Sequence, residues 1–105
     1  MERVENIFSL VTDDPVRFNI LTLKSKLAMV LISMIRSEEL TQAEAAKRLE
    51  VSQPRVSNLF KGKLDKFSVD SLLELIMRVG YKPDFDFDPK NLKEPFRMTL
   101  KKAML

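Results

Sequence analysis

The segment from Thr41 to Lys63 constrains the fold more than any other, because it fixes two short helices with about three residues between them. Thr41-Gln42-Ala43-Glu44 is a capping box. The Thr hydroxyl accepts from the backbone N–H three residues on, while the Glu carboxylate accepts from the Thr backbone N–H. A helix therefore starts at Gln42, and it can run only to about Leu49. Beyond that, Val51-Ser52 forms a turn, and Ser52 caps a new helix that carries Pro54 in its first turn. Gly62 suits the end of that second helix, where a left-handed residue is needed.

The flanking sequence supplies longer helices. Asp14-Pro15 is a start signal, and the apolar residues Phe18, Leu21, Leu27, Val30, Leu31, Met34 and Ile35 recur at three- and four-residue spacing up to about Arg36. Ile20, Leu23 and Ile32 widen this stripe, so most of the helix circumference is expected to be covered. Lys63–Phe67 is expected to be loop. Ser68 caps a further helix with the stripe Val69, Leu72, Leu73, Ile76 and Val79, ending at Gly80. After Gly80 the period falls to two. Phe85 and Phe87 alternate with Asp84, Asp86 and Asp88, which predicts one short edge strand over 81–88 with Pro83 near its start. A lone strand leaves its backbone unsatisfied, and a second copy of the chain is the simplest partner, with Phe85 and Phe87 as dimerisation residues. The tail 89–105 carries apolar residues among basic ones and reads either as a docked helix or as a disordered, partner-binding segment. The expected architecture is all-α: a tail over 1–14, a domain of four to five helices over 15–80, a dimerising strand over 81–88 and a tail over 89–105.

Composition narrows the chemistry. With 105 residues, 45% of them hydrophobic, the chain can bury one core but not two. Cysteine and histidine are both absent. That removes zinc fingers, thiol nucleophiles, imidazole metal sites and Ser/His/Asp triads, so neither an enzyme nor a cofactor or metal site is expected. The acids Asp84, Asp86 and Asp88 resemble the opening of a calcium loop, but the sixth and twelfth positions are Pro89 and Pro95 instead of Gly and Glu. The most apolar run, residues 27–35, is shorter than the roughly twenty residues of a membrane span, and no export signal is visible. A cytoplasmic bacterial protein associated with the nucleoid is expected. The net charge is +3, unevenly spread: residues 1–50 hold seven Lys/Arg against eight Asp/Glu, and the rest hold eleven against seven.

Two short helices joined by a tight turn and flanked by longer ones can place a helix in the DNA major groove. Ala45 and Ala46 allow the close approach, and Leu49, Val51, Val56 and Leu59 fill the angle between the two helices. The outer face of the second then carries donors and acceptors and no acid. Gln53, Pro54, Arg55 and Asn58 are the candidate base readers, since Arg can pair with guanine and Gln or Asn with adenine, and the helix N-terminus points into the groove. Gln42, Ser52, Ser57, Lys61 and Lys63 are the candidate phosphate contacts.

The stretch Leu40 to Lys63 resembles the Xre/Cro (lambda-repressor-like) family of repressors. With Phe67-Ser68-Val69-Asp70-Ser71-Leu72-Leu73 and Gly80 it is most similar to the HigA-like antitoxin branch of type II toxin-antitoxin systems. The resemblance, which runs from about Pro15 to Asp88, implies a homodimer that binds a palindromic double-stranded operator and represses its own operon. It also implies a RelE/HigB-like mRNA-cleaving toxin as partner. The toxin contact is expected on residues 1–14, the long first helix or the apolar-basic tail from Lys90. One departure is Glu50, which stands at the turn position usually held by glycine. If that position is left-handed, the strain is of order 1 kcal/mol. The rival readings are a stand-alone or phage-derived regulator, and a helix-turn-helix module that binds protein without DNA affinity.

Overall fold

The computed structural model describes residues 13–103. The chain folds into four α-helices and a terminal hairpin: α1 Pro15–Ser37, α2 Gln42–Leu49, α3 Gln53–Phe60, a 3₁₀ turn Leu64–Lys66, α4 Val69–Arg78, and strands β1 Tyr81–Phe87 and β2 Phe96–Lys102. Each helix begins where a side chain can satisfy its free N–H groups. Asp14 accepts from Val16, Thr41 from Glu44, Ser52 from Arg55 and Ser68 from Ser71. The Thr41/Glu44 capping box is present in both directions, at 2.9 and 3.1 Å, and Ser68/Ser71 forms a second. Gly62 and Gly80 both have positive φ and end α3 and α4.

The core is formed by the C-terminal half of α1 (Leu27, Ala28, Leu31, Ile35), by Ala45, Ala46 and Leu49 of α2, by Val56 and Leu59 of α3, by Phe67, and by Leu72, Leu75, Ile76 and Val79. Helices of eight residues are marginal alone in water, so α2 and α3 exist because this core holds them. Leu75, absent from the expected α4 stripe, is buried there. The first half of α1 departs from expectation. Val16 and Ile20 are exposed there, and the helix is covered mainly along one face of its last three turns, where Met29 points outward. α1 is long and apolar enough to cross a membrane by length and composition, yet it is the element against which α4 packs.

The larger correction concerns the C-terminus. β1 is partnered within its own chain: residues 96–102, expected as helix or disordered tail, form β2, antiparallel to β1, with Tyr81 opposite Lys102, Phe85 opposite Met98 and Phe87 opposite Phe96. The fold is thus mostly helical with a two-stranded sheet, not all-α. The backbone need that pointed to a second copy is met by the hairpin itself, and Ala103 N–H closes its base on the Gly80 carbonyl at 2.8 Å.

Candidate nucleic-acid interface

The turn between α2 and α3 sets the angle at which α3 is presented. Glu50 takes φ 57° and ψ 43°, the left-handed conformation its position requires. Its carboxylate forms an ion pair with Arg78 of α4, which ties the turn to the core. Glu39 is also left-handed, with φ 56°, in the connection before α2. The sequence reading missed it, because no glycine or asparagine marks that position. Val51 N–H bonds the Ala46 carbonyl at 3.0 Å, and the fully buried Ala45 leaves room for α3 to close on α2.

The N-terminal ends of α2 and α3 meet around a shallow concavity of about 420 Å³ lined by Gln42, Gln53, Pro54 and Ser57. Gln53 and Pro54 are exposed, and Gln42 and Ser57 are half-buried. Two amides and a hydroxyl thus converge at one mouth with no carboxylate among them, a set that can donate to phosphate oxygens and both donate to and accept from base edges. Ser52 is committed as the α3 cap, accepting from Arg55 N–H at 3.3 Å. Asn58 lies half-buried further along α3, outside the concavity.

Arg55 stands apart from the other candidate base readers. Its guanidinium lies over the Phe67 ring, 4.4 Å from the centroid, and donates to the Lys66 carbonyl at 3.2 Å. It closes the loop after α3 onto the start of that helix, and base reading by Arg55 would first have to break both contacts. At the far end, Lys61, Lys63 and Lys66 are all exposed around the α3 exit and the 3₁₀ turn, with Asp65 as the acid among them. Lys66, a backbone partner of Arg55, was not among the expected phosphate contacts. The density of lysines around it was the available signal.

Residues 11–85 match the family of helix-turn-helix domains. The chain belongs to that helix-turn-helix family. A solved structure assigned to the XRE family of transcriptional regulators is similar to it at 30% identity with a TM-score of 0.60, over 82% of this chain and 93% of that one. No curated protein matches the sequence. As an XRE-like helix-turn-helix protein, the chain is a DNA-binding transcription regulator, with α3 in the place of the recognition helix.

Proposed function

We propose that this regulator is a sequence-specific repressor that binds a palindromic operator as a homodimer, and that it is the antitoxin of a type II pair, repressing its own operon in the bacterial cytoplasm and neutralising a RelE/HigB-like mRNA-cleaving toxin. The observation that carries the DNA reading is the acid-free mouth of Gln42, Gln53, Pro54 and Ser57, flanked by exposed Lys61 and Lys63. Gln53 and Pro54 meet the base edges with Asn58 beyond them, while the α2 N-terminus at Gln42 and the lysines hold the backbone on either side. The antitoxin role is supported by the resemblance of residues 40–80 to HigA-like proteins. Of the proposed toxin contacts, residues 1–12 lie outside the described residues, whereas the exposed Val16 and Ile20 on the first turns of α1 offer apolar surface. A stand-alone regulator is the second reading, favoured by the description of the solved relative.

Binding of the purified protein to its own promoter fragment at two salt concentrations, beside an unrelated duplex and a Gln53→Ala variant, tests the first claim. Preference for the promoter, weakened by salt and changed in Gln53→Ala, is expected. Equal binding to both duplexes would leave a protein-binding module. Co-expression with the product of an adjacent gene separates antitoxin from stand-alone regulator: rescue of growth arrest supports the first, and no arrest or no rescue the second.

A further inference from the structure

Helix α3 turns one apolar side chain fully outward. Val56 and Leu59 are buried, Phe60 is half-buried, and Pro54 is exposed. At about 100° per residue, Pro54 stands roughly 170° round the helix from the midpoint of Val56 and Leu59. It falls between Ser57 and Asn58 in that projection, and it lines the same concavity as Gln42, Gln53 and Ser57. A proline in a first helical turn helps to start the helix, since its φ is preset and its missing N–H has no partner to lose. That accounts for its backbone. It does not account for the ring, which belongs to no part of the core and is the only carbon surface among the polar groups of the mouth.

The chemistry of that surface limits what it can recognise. The proline ring has neither a donor nor an acceptor. Nor is the start of α3 a ready seat for a phosphate: Pro54 supplies no N–H, the Arg55 N–H is taken by the Ser52 hydroxyl at 3.3 Å, and the Val56 N–H by the Ser52 carbonyl at 3.3 Å. In the major groove the base pairs offer one apolar group, the methyl on C5 of thymine. Cytosine methylated at C5 carries the same methyl in the same place. We infer that Pro54 reads the C5 methyl of a pyrimidine, so that one operator position accepts thymine or 5-methylcytosine and disfavours unmethylated cytosine. The inference rests on the DNA reading and gives one side chain within it a separate task. Gln53 reads by hydrogen bonds, and Pro54 reads by covering a methyl that carries none. An operator with cytosine at this position therefore becomes a better operator when that cytosine is methylated.

Uracil pairs with adenine as thymine does and lacks only the C5 methyl, so exchanging the two isolates the contact. Partial replacement of thymine by uracil in the protein's own promoter fragment, followed by recovery of the bound duplex, locates each thymine whose methyl is read. Duplexes with thymine, uracil, cytosine and 5-methylcytosine at that position are then compared by fluorescence anisotropy. For the wild type, thymine should exceed uracil, and 5-methylcytosine should exceed cytosine, by about fourfold in affinity for each half-site occupied, the effect of covering one methyl. Pro54→Ser should bring both ratios close to one. Helical circular dichroism checks that this variant folds, and the wild-type ratios stand without it. Either wild-type ratio at one, or a folded Pro54→Ser protein that keeps both ratios, would overturn the inference while preference for the promoter remains. Loss of the DNA reading itself has a different sign, equal binding of the wild type to the promoter and to an unrelated duplex.

Discussion

Gln53 and Arg55, two positions apart at the start of α3, are set to different tasks by what surrounds them. Gln53 opens into the concavity beside Gln42, while Arg55 is engaged by the Phe67 ring and the Lys66 carbonyl. A half-exposed cation–π contact and one hydrogen bond are together worth about 1–2 kcal/mol. Arg55→Ala is therefore expected to lower stability by about that much and to weaken binding to every duplex alike, since it frees the loop that carries Lys63 and Lys66. Gln53→Ala should leave stability unchanged and alter preference at one base pair. Urea melts and a panel of single-base-pair operator variants check both, and an Arg55→Ala protein with a normal melt and a lost preference at one base pair would return Arg55 to base reading. Glu50 offers a second test at this scale. Its left-handed backbone costs about 1 kcal/mol for any residue with a Cβ, whereas its ion pair with Arg78 is solvent-exposed and screened, a minor contribution. Glu50→Gly and Glu50→Ala both lose the ion pair, so Glu50→Gly should be the more stable of the two by about 1 kcal/mol, a difference that isolates the backbone.

The same reasoning extends from side chains to whole elements, because α2 depends on its first turn. The Thr41 backbone N–H, and after it the Thr41 hydroxyl, hold the Glu44 carboxyl below its usual pKa. A carboxylate whose folded pKa is depressed contributes stability above its unfolded pKa and loses it as pH falls through the folded value. Thermal melts between neutral pH and about pH 3 should thus fall less steeply for Glu44→Gln than for the wild type; parallel curves would show that the box adds nothing at this end. Capping of this kind is the most local of signals, and it is why Thr41, Ser52 and Ser68 fixed the starts of α2, α3 and α4 before any tertiary contact was known. The hairpin was only half legible. Phe96, Met98 and Leu100 alternate with Arg97, Thr99 and Lys101 as plainly as Phe85 and Phe87 do with their aspartates, but eight residues separate the two runs and no tight-turn pair marks the reversal. Alternation says that a strand exists; only register says what it pairs with. Arg55 failed to declare itself for the same reason, since its partners stand eleven and twelve residues away, in the loop after its own helix.

At the scale of the molecule, charge is arranged rather than abundant. A net charge of +3 is too small to draw the whole chain to nucleic acid, yet Lys61, Lys63 and Lys66 project from one end of α3, while Gln42 and Gln53 at the other end carry no charge. The two ends should therefore respond differently to salt. Each phosphate neutralised by a lysine contributes about −0.9 to the slope of log affinity against log salt. Lys63→Ala is expected to weaken binding to all sequences and to make that slope shallower by about 0.9 on an isolated half-site, but by about 1.8 on the full palindrome if two copies bind together. Gln42→Ala should weaken binding with the slope unchanged, because a neutral amide and a helix N-terminus displace no counterion. Filter binding or fluorescence anisotropy over a tenfold salt range distinguishes these cases. A Lys63→Ala slope change that is the same on half-site and palindrome would mean that the copies bind singly, which removes the proposed homodimer from operator recognition.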